Sequence, residues 1–192
     1  MKIIATENSK ISNLSDCQLW IELRRDGNPD VLHALFYRFY DDLYFYGSKL
    51  VKDNDLILDT IQDVFSILWE DRKRLSDVQN VKAYLFKTFR NKLLKTSHKN
   101  VSFFFLMDIR KIPENESILS PEDIIIEKEN RSEISKTISD VLVDLTDKQK
   151  EILYLRFKCN LSIAEIGQTL SIKKQSVSNL LHRTINKLRR KL

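Results

Sequence analysis

Toward the C-terminus, Lys174, Gln175, Ser178, Asn179, His182 and Arg183 recur at three- and four-residue spacing. They lie opposite an apolar set, Val177, Leu180, Leu181, Ile185 and Leu188. On a helix this separates one polar face from one buried face. Amides and hydroxyls near the N-terminus of such a helix can read base edges in the major groove. Lys187, Arg189, Arg190 and Lys191 suit phosphates, which position a protein without specifying sequence. Ahead of them, Ser162 to Leu170 spells a short helix and Ser171-Ile172-Lys173 a tight connection. Gly167 supplies a small residue where the two helices would cross, the plan of a helix-turn-helix. A plain helical hairpin with a charged face would show the same periodicity.

A second constellation runs from residue 59 to 95. One segment carries Asp59, Gln62, Asp63, Phe65, Trp69 and Glu70, and the next carries Tyr84, Lys87, Thr88, Arg90, Asn91 and Lys92. The charge distribution sharpens both constellations. Residues 1–71 sum to −6, 72–99 to +8 with Asp77 the only acid, 101–147 to −6 and 148–192 to +9, which together give the formal +5. Two basic blocks on an otherwise acidic chain point to two nucleic-acid contacts, although two solvated helix faces would read alike. Chemistry of the chain's own is not signalled. His33, His98 and His182 are isolated, Cys17 and Cys159 stand alone, and no phosphate-binding glycine loop or metal-ligand spacing occurs. We therefore expect no enzyme activity, no cofactor and no metal, with reduced thiols in the cytoplasm. The start, MKIIATENSK, lacks a signal-peptide apolar run, and no stretch approaches the ~20 apolar residues of a membrane span.

The elements that must position these residues are helices. Only three Gly and three Pro occur in 192 residues, too few for a fold that turns every ten residues. Ser15-Asp16 caps a short helix closed by Gly27, and Asn28-Pro29 restarts the chain. Leu32, Leu35, Phe36, Phe39, Leu43, Tyr46 and Leu50 then mark one face of a long helix. Asp53-Asn54-Asp55 starts the next, with Ile57, Ile61, Val64, Phe65 and Leu68 facing in. A polar loop from Asp71 to Gln79 leads to a basic helix over about 80–97, buried through Val81, Leu85, Phe89 and Leu93. Residues 98–120 lose this periodicity and read as a linker, with Phe103-Phe104-Phe105 expected to dock on something. Ser120-Pro121-Glu122-Asp123 reads as a helix start, and Thr146-x-x-Gln149 and Ser162-x-x-Glu165 as capping boxes.

The pattern over about 35–95 resembles region 2 of the extracytoplasmic-function (ECF) sigma factors of bacterial RNA polymerase. An aspartate is followed by Gln62-Asp63-Val64-Phe65, Trp69 four residues on, then Tyr84-Leu85-Phe86 and Asn91. Residues 145–192 resemble region 4 of that family through Leu145, Gln149, Glu165-Ile166, Val177, Leu181 and Leu188-Arg189. The resemblance implies an all-α protein of two small helical domains: 1–97 for core polymerase and the −10 promoter element, a flexible linker over 98–120, and 121–192 for the −35 element. It implies a polymerase contact through Asp59, Gln62, Asp63 and Phe65, the last alternatively a core residue. It implies melting and capture of the −10 element by Arg72, Arg74, Asn80, Lys82, Lys87, Arg90, Asn91 and Lys95. Reading of duplex −35 DNA would fall to Lys174, Gln175, Ser178, Asn179, His182, Arg183 and Lys187. Expected partners are core polymerase, promoter DNA and an anti-sigma factor. A helix-turn-helix regulator that does not bind polymerase would share the C-terminal signal but gives no account of 59–95. Four positions depart from the family pattern: Leu58 stands for an acid, Gly167 for Ala, Ser171 for the turn Gly, and Lys173 for a capping Ser or Thr.

Overall fold

The computed structural model describes residues 11, 13–25, 27–97 and 144–190. Among these residues the chain forms seven α-helices and no strand. The start at Ser120-Pro121 and the Phe103–Phe105 run lie outside the described residues. Helix α1 (Asp16–Arg25) begins with a reciprocal pair: Ser15 N–H donates to Gln18 Oε1 at 2.8 Å and Gln18 N–H to Ser15 Oγ at 3.3 Å. Gly27, at φ +61°, then turns the chain. Helix α2 (Pro29–Leu50) starts from Asn28, whose side chain accepts from Asp30 N–H, with proline in its first turn. Helix α3 (Asn54–Glu70) is capped by Asp53 and α4 (Val81–Thr96) by Asn80, whose Oδ1 accepts from Ala83 N–H at 2.7 Å. Each of these side chains satisfies one donor that a helix start leaves without a backbone acceptor.

The first four helices bury the stripes that their sequence spacing marks. Val31, Leu35, Phe39, Leu43, Tyr46 and Leu50 of α2 are enclosed with Ile57, Ile61, Val64, Phe65 and Leu68 of α3 and with Val81, Leu85, Phe86, Phe89 and Leu93 of α4. Leu19, Trp20 and Leu23 of α1 close one side. A fully enclosed Leu or Phe contributes about 2 kcal/mol relative to exposure. Leu32 and Phe36 sit at the flank of this core, half-buried rather than enclosed.

In the C-terminal half, α5 (Asp147–Phe157) and α6 (Ile163–Leu170) both open with complete capping boxes, Thr146 with Gln149 and Ser162 with Glu165. Helix α7 (Lys174–Arg189) follows α6 through Ser171, Ile172 and Lys173. Ser171 takes the left-handed conformation (φ 53°, ψ 42°), and Ile172 N–H donates to Gly167 O at 2.9 Å. A Cβ on Gly167 would lie 2.9 Å from the Ile172 carbonyl oxygen. The turn therefore closes this tightly only without a side chain at that position. Lys173 N-caps α7 without a side-chain hydrogen bond, as its departure from Ser or Thr implies.

The two halves pack on each other. Helix α6 lies along α4, and the Tyr154 ring of α5 stacks on Tyr46 of α2 with centroids 6.1 Å apart and planes at 17°. Their apolar residues form one continuous buried cluster from Leu19 to Leu181.

Candidate nucleic-acid interface

Helix α7 presents its polar row as its spacing requires. Val177, Leu181 and Thr184 are buried, whereas Lys174, Gln175, Asn179, His182 and Arg183 are exposed and Ser178 is half-buried. Gln175 Nε2 donates to Asn179 Oδ1 at 3.0 Å, a bond that uses the Asn179 oxygen and not its amide N–H₂. Asn186 lies 3.3 Å from the His182 ring. Lys187 instead donates to the Asp144 carbonyl at 2.5 Å and ties α7 to the entry of α5. A row of donors and cations on a helix held by a tight turn is suited to groove and phosphate contact.

The basic surface of α4 and its preceding loop is more occupied. Arg72 donates to the Trp69 carbonyl at 2.6 Å and lays its guanidinium 4.2 Å above the Trp69 ring, so it finishes α3. Arg74 is far out in solvent, 3.9 Å from Asp71. Asn80 caps α4 and its amide also meets the Glu165 carboxylate of α6. Lys82 pairs with Asp42 at 2.7 Å, and Arg90 pairs with Glu151 of α5. Asn91 and Lys95 are exposed, Lys87 is half-buried, and Thr88, Asn91, Lys92, Lys95 and Thr96 line an open cleft along α4. Of the expected −10 residues, then, Asn91, Lys95 and Arg74 face outward, while Arg72, Asn80, Lys82 and Arg90 hold intramolecular contacts.

On α3 the acidic face is exposed. Asp59, Gln62 and Asp63 point outward, with Asp63 3.1 Å from Lys92, and the apolar Leu58 and Ile67 lie exposed among them. Phe65 does not join this face. It is 4% exposed and packs edge-on against Phe36 at 5.1 Å. The expected polymerase contact at Phe65 is thus corrected to a core role, because positions 61, 64, 65 and 68 form the buried stripe of α3. Tyr84 is half-buried against Trp20, and Phe86 and Phe89 are fully enclosed.

Sequence reading missed the residues that hold the parts together. Trp20 Nε1 donates to the Ser76 carbonyl at 3.1 Å, and Arg24 pairs with Asp77, so α1 anchors the loop ahead of α4. Tyr46, fully buried, donates its hydroxyl to Glu151 at 2.6 Å. Arg90 grips the same carboxylate in bidentate fashion, Nε at 2.8 Å and Nη2 at 3.2 Å. Burial, followed by the adjacent Glu151 charge, pushes the Tyr46 hydroxyl well above its ordinary range. Burial works against the Arg90 cation, but the Glu151 hydrogen bonds and charge outweigh it and raise its pKa. One signal for this cluster was present in the sequence. The basic C-terminal block holds only two acids, Glu151 and Glu165, and both reach across to α4.

Comparison with known proteins identifies the family. Residues 35–100 match the family model "Sigma-70 region 2", and 141–190 match "Sigma-70, region 4". The ECF RNA polymerase sigma factor SigX of Bacillus subtilis (strain 168) is 22% identical over 167 residues, covering 84% of this chain and 83% of its own. Among solved structures, CnrH in complex with the cytosolic domain of CnrY shares the fold with a TM-score of 0.57 at 16% identity, covering 91% of this chain and 94% of that one. The sigma factor RpoE in complex with the anti-sigma factor NepR, from Bartonella quintana, has a TM-score of 0.52 at 16% identity, covering 83% and 94%. The region 2 match decides against a regulator built on the helix-turn-helix alone.

Proposed function

Because this chain belongs to the sigma-70 family, as an ECF sigma factor that directs RNA polymerase to promoters and initiates transcription, we propose that its surfaces divide the promoter as follows. Helix α7 reads the −35 element as duplex through Lys174, Gln175, Ser178, Asn179, His182 and Arg183. Lys187, tethered to Asp144, adds positive potential near the DNA backbone. The α4 cleft, with Asn91, Lys95 and Lys87, and the loop cation Arg74 hold the melted −10 strand, where cations track the backbone and polar groups meet unstacked bases. Arg72, Asn80, Lys82 and Arg90 contribute there once released from their present partners. Core polymerase is contacted by the exposed face of α3 bearing Asp59, Gln62 and Asp63, joined by Leu58 and Ile67. The protein catalyses nothing itself and lends specificity to the polymerase. It works in the cytoplasm, where that polymerase is. Among the described residues no helix is long and apolar enough to cross a membrane. An anti-sigma factor is a further expected partner, since CnrH and RpoE, which share the fold, were captured with CnrY and NepR.

The observation that carries this reading is the exposed polar row of α7 over a buried apolar face, held on the closed α6–α7 turn. The test is transcription in vitro with core polymerase on genomic fragments, comparing the native chain with Arg183→Ala. Native protein should yield discrete start sites. Arg183→Ala should lose promoter affinity, with a salt slope shallower by about 1. An unchanged slope would remove Arg183 from the DNA contact, and absence of any start site would overturn the assignment of surfaces.

A further inference from the structure

Helix α1 lies ahead of the stretch that matches region 2, which begins at residue 35, yet one of its faces runs along the loop between α3 and α4. Cys17, Trp20 and Arg24 are three and four residues apart, so they share that face. Trp20, 1% exposed, donates Nε1–H to the Ser76 carbonyl at 3.1 Å. Arg24 pairs with Asp77, and the Cys17 thiol lies 3.8 Å from the Gln79 carbonyl. Just past the helix, Gly27 leaves room for Arg72 near the start of the loop: a Cβ there would lie 2.5 Å from Arg72 Nε. The loop has little else to hold it. Backbone hydrogen bonds from Arg74 and Leu75 to Asp71 brace its first turn, but among the described residues none is made by the backbone of 76–79 to another backbone group. The Ser76 and Gln79 carbonyls meet their donors on α1.

We infer that the Cys17–Trp20–Arg24 face of α1 is a splint that shapes residues 76–79, and that Trp20 and Arg24 are thereby positioning residues for capture of the −10 strand. This rests on the division of surfaces proposed above. The splinted loop exposes Lys73, Arg74, Ser76 and Gln79 and leads directly into α4 with its cleft at Asn91 and Lys95. The proposed strand contacts, Arg74 and the α4 cleft, therefore stand on either side of residues 76–79 in the chain. A backbone without helix or ladder bonds takes its order from the side chains that reach it. Unstacked bases are told apart by polar groups at fixed positions, and a wall that can move accommodates the wrong base nearly as well as the right one. Trp20, being enclosed, acts through Ser76 and not by touching the strand.

The test uses holoenzyme reconstituted from core polymerase and the full-length chain. Its templates are the promoter of the strongest start site mapped from genomic fragments, and versions with single-base changes in the −10 or the −35 element. In Trp20→Phe a ring stays against Tyr84 and the donor to Ser76 is lost. The ratio of transcripts from the native promoter to those from −10 variants should fall about five-fold, the scale of one neutral hydrogen bond. Ratios for −35 variants, and affinity for core polymerase, should stay within about two-fold, as expected of distant sites. Arg24→Gln, which removes a largely solvated pair, should shift the −10 ratio in the same direction by less. If Trp20→Phe loses its helical circular dichroism, Arg24→Gln alone decides. Transcription lowered by one factor on every template, with ratios unchanged, is the result of a merely structural brace and overturns the positioning role. Equal loss of selectivity at −10 and −35 overturns it too. A failure of the surface assignment looks different: Arg74→Ala then leaves transcription and its salt dependence unchanged on every template, whatever Trp20→Phe does.

Discussion

Asp63 shows how little an exposed ion pair has to do with folding and how much a face can have to do with binding. Its carboxylate is 3.1 Å from Lys92, but its side chain is 59% exposed. Water and salt screen such a pair to about 0–1 kcal/mol. The same position lies on the outward face of α3 with Asp59 and Gln62, and Leu58 and Ile67 add apolar area to a surface that no other described helix covers fully. Asp63→Lys should therefore leave the melting temperature nearly unchanged and weaken binding to core polymerase by ten-fold or more, as charge reversal in an interface does. Fluorescence anisotropy with labelled protein measures the second quantity, and duplex binding by α7 serves as the control. Equal loss of both would sink the separate roles of α3 and α7. Phe65, two residues on, is the opposite case. Its place in the family pattern gives it to the surface, its place in the helical stripe gives it to the core, and the stripe prevails because Phe36 and its neighbours enclose it.

At the scale of elements, what was legible in the sequence is what is local. Asn28-Pro29, Asp53, Thr146 with Gln149 and Ser162 with Glu165 all act as the caps their types imply, because a cap's chemistry is complete within four residues. Gly167 was legible as a crossing point for the same reason. The α6–α7 turn yields a prediction of the same local kind. Ser171 occupies left-handed space at φ 53°, which costs an L-residue roughly 1–2 kcal/mol. Part of that is recovered because glycine loses more chain entropy on folding. Ser171→Gly should then stabilise the helix-turn-helix by up to about 1 kcal/mol and raise the melting temperature by a few degrees, measured by thermal circular dichroism. A fall in melting temperature would show that the serine hydroxyl supplies more than its backbone strain removes. Beyond the reach of local reading were the elements' mutual contacts. Trp20 on Ser76, Tyr46 on Glu151 and Asn80 on Glu165 join positions 56, 105 and 85 residues apart. No periodicity encodes which face meets which, so nothing in the spacing of Arg90 and Asn80 points to their intramolecular partners.

For the whole molecule, the blocks of charge describe how a chain with a net +5 can bind DNA in two places without being uniformly basic. They also leave the junction between the halves dependent on buried groups that must stay neutral. Cys159 sits 3% exposed near the α5–α6 connection, and burial, with a smaller push from Asp42, raises its thiol from 9.0 to about 12. Tyr46, buried beside Glu151, is raised in the same sense from 10.0. In both, the folded protein holds its proton more tightly than the unfolded chain. The stability that follows is fully present below the unfolded values and is lost as pH rises through the folded ones. Between pH 6 and 8.5 these two groups should leave the unfolding free energy flat. Above about pH 9 stability should fall through Cys159, and above about pH 10 through Tyr46 as well, by on the order of 1 kcal/mol per pH unit for each group as it titrates. Urea titrations at stepped pH read this directly, and the general titration of lysines at high pH is removed by comparing variants. Cys159→Ala should delay the onset of the fall from about pH 9 to about pH 10, and adding Tyr46→Phe should flatten it further. An identical pH profile in the native chain and in Cys159→Ala would mean that the thiol is not protected from ionisation, and the packed junction around it would have to be looser than the structure makes it.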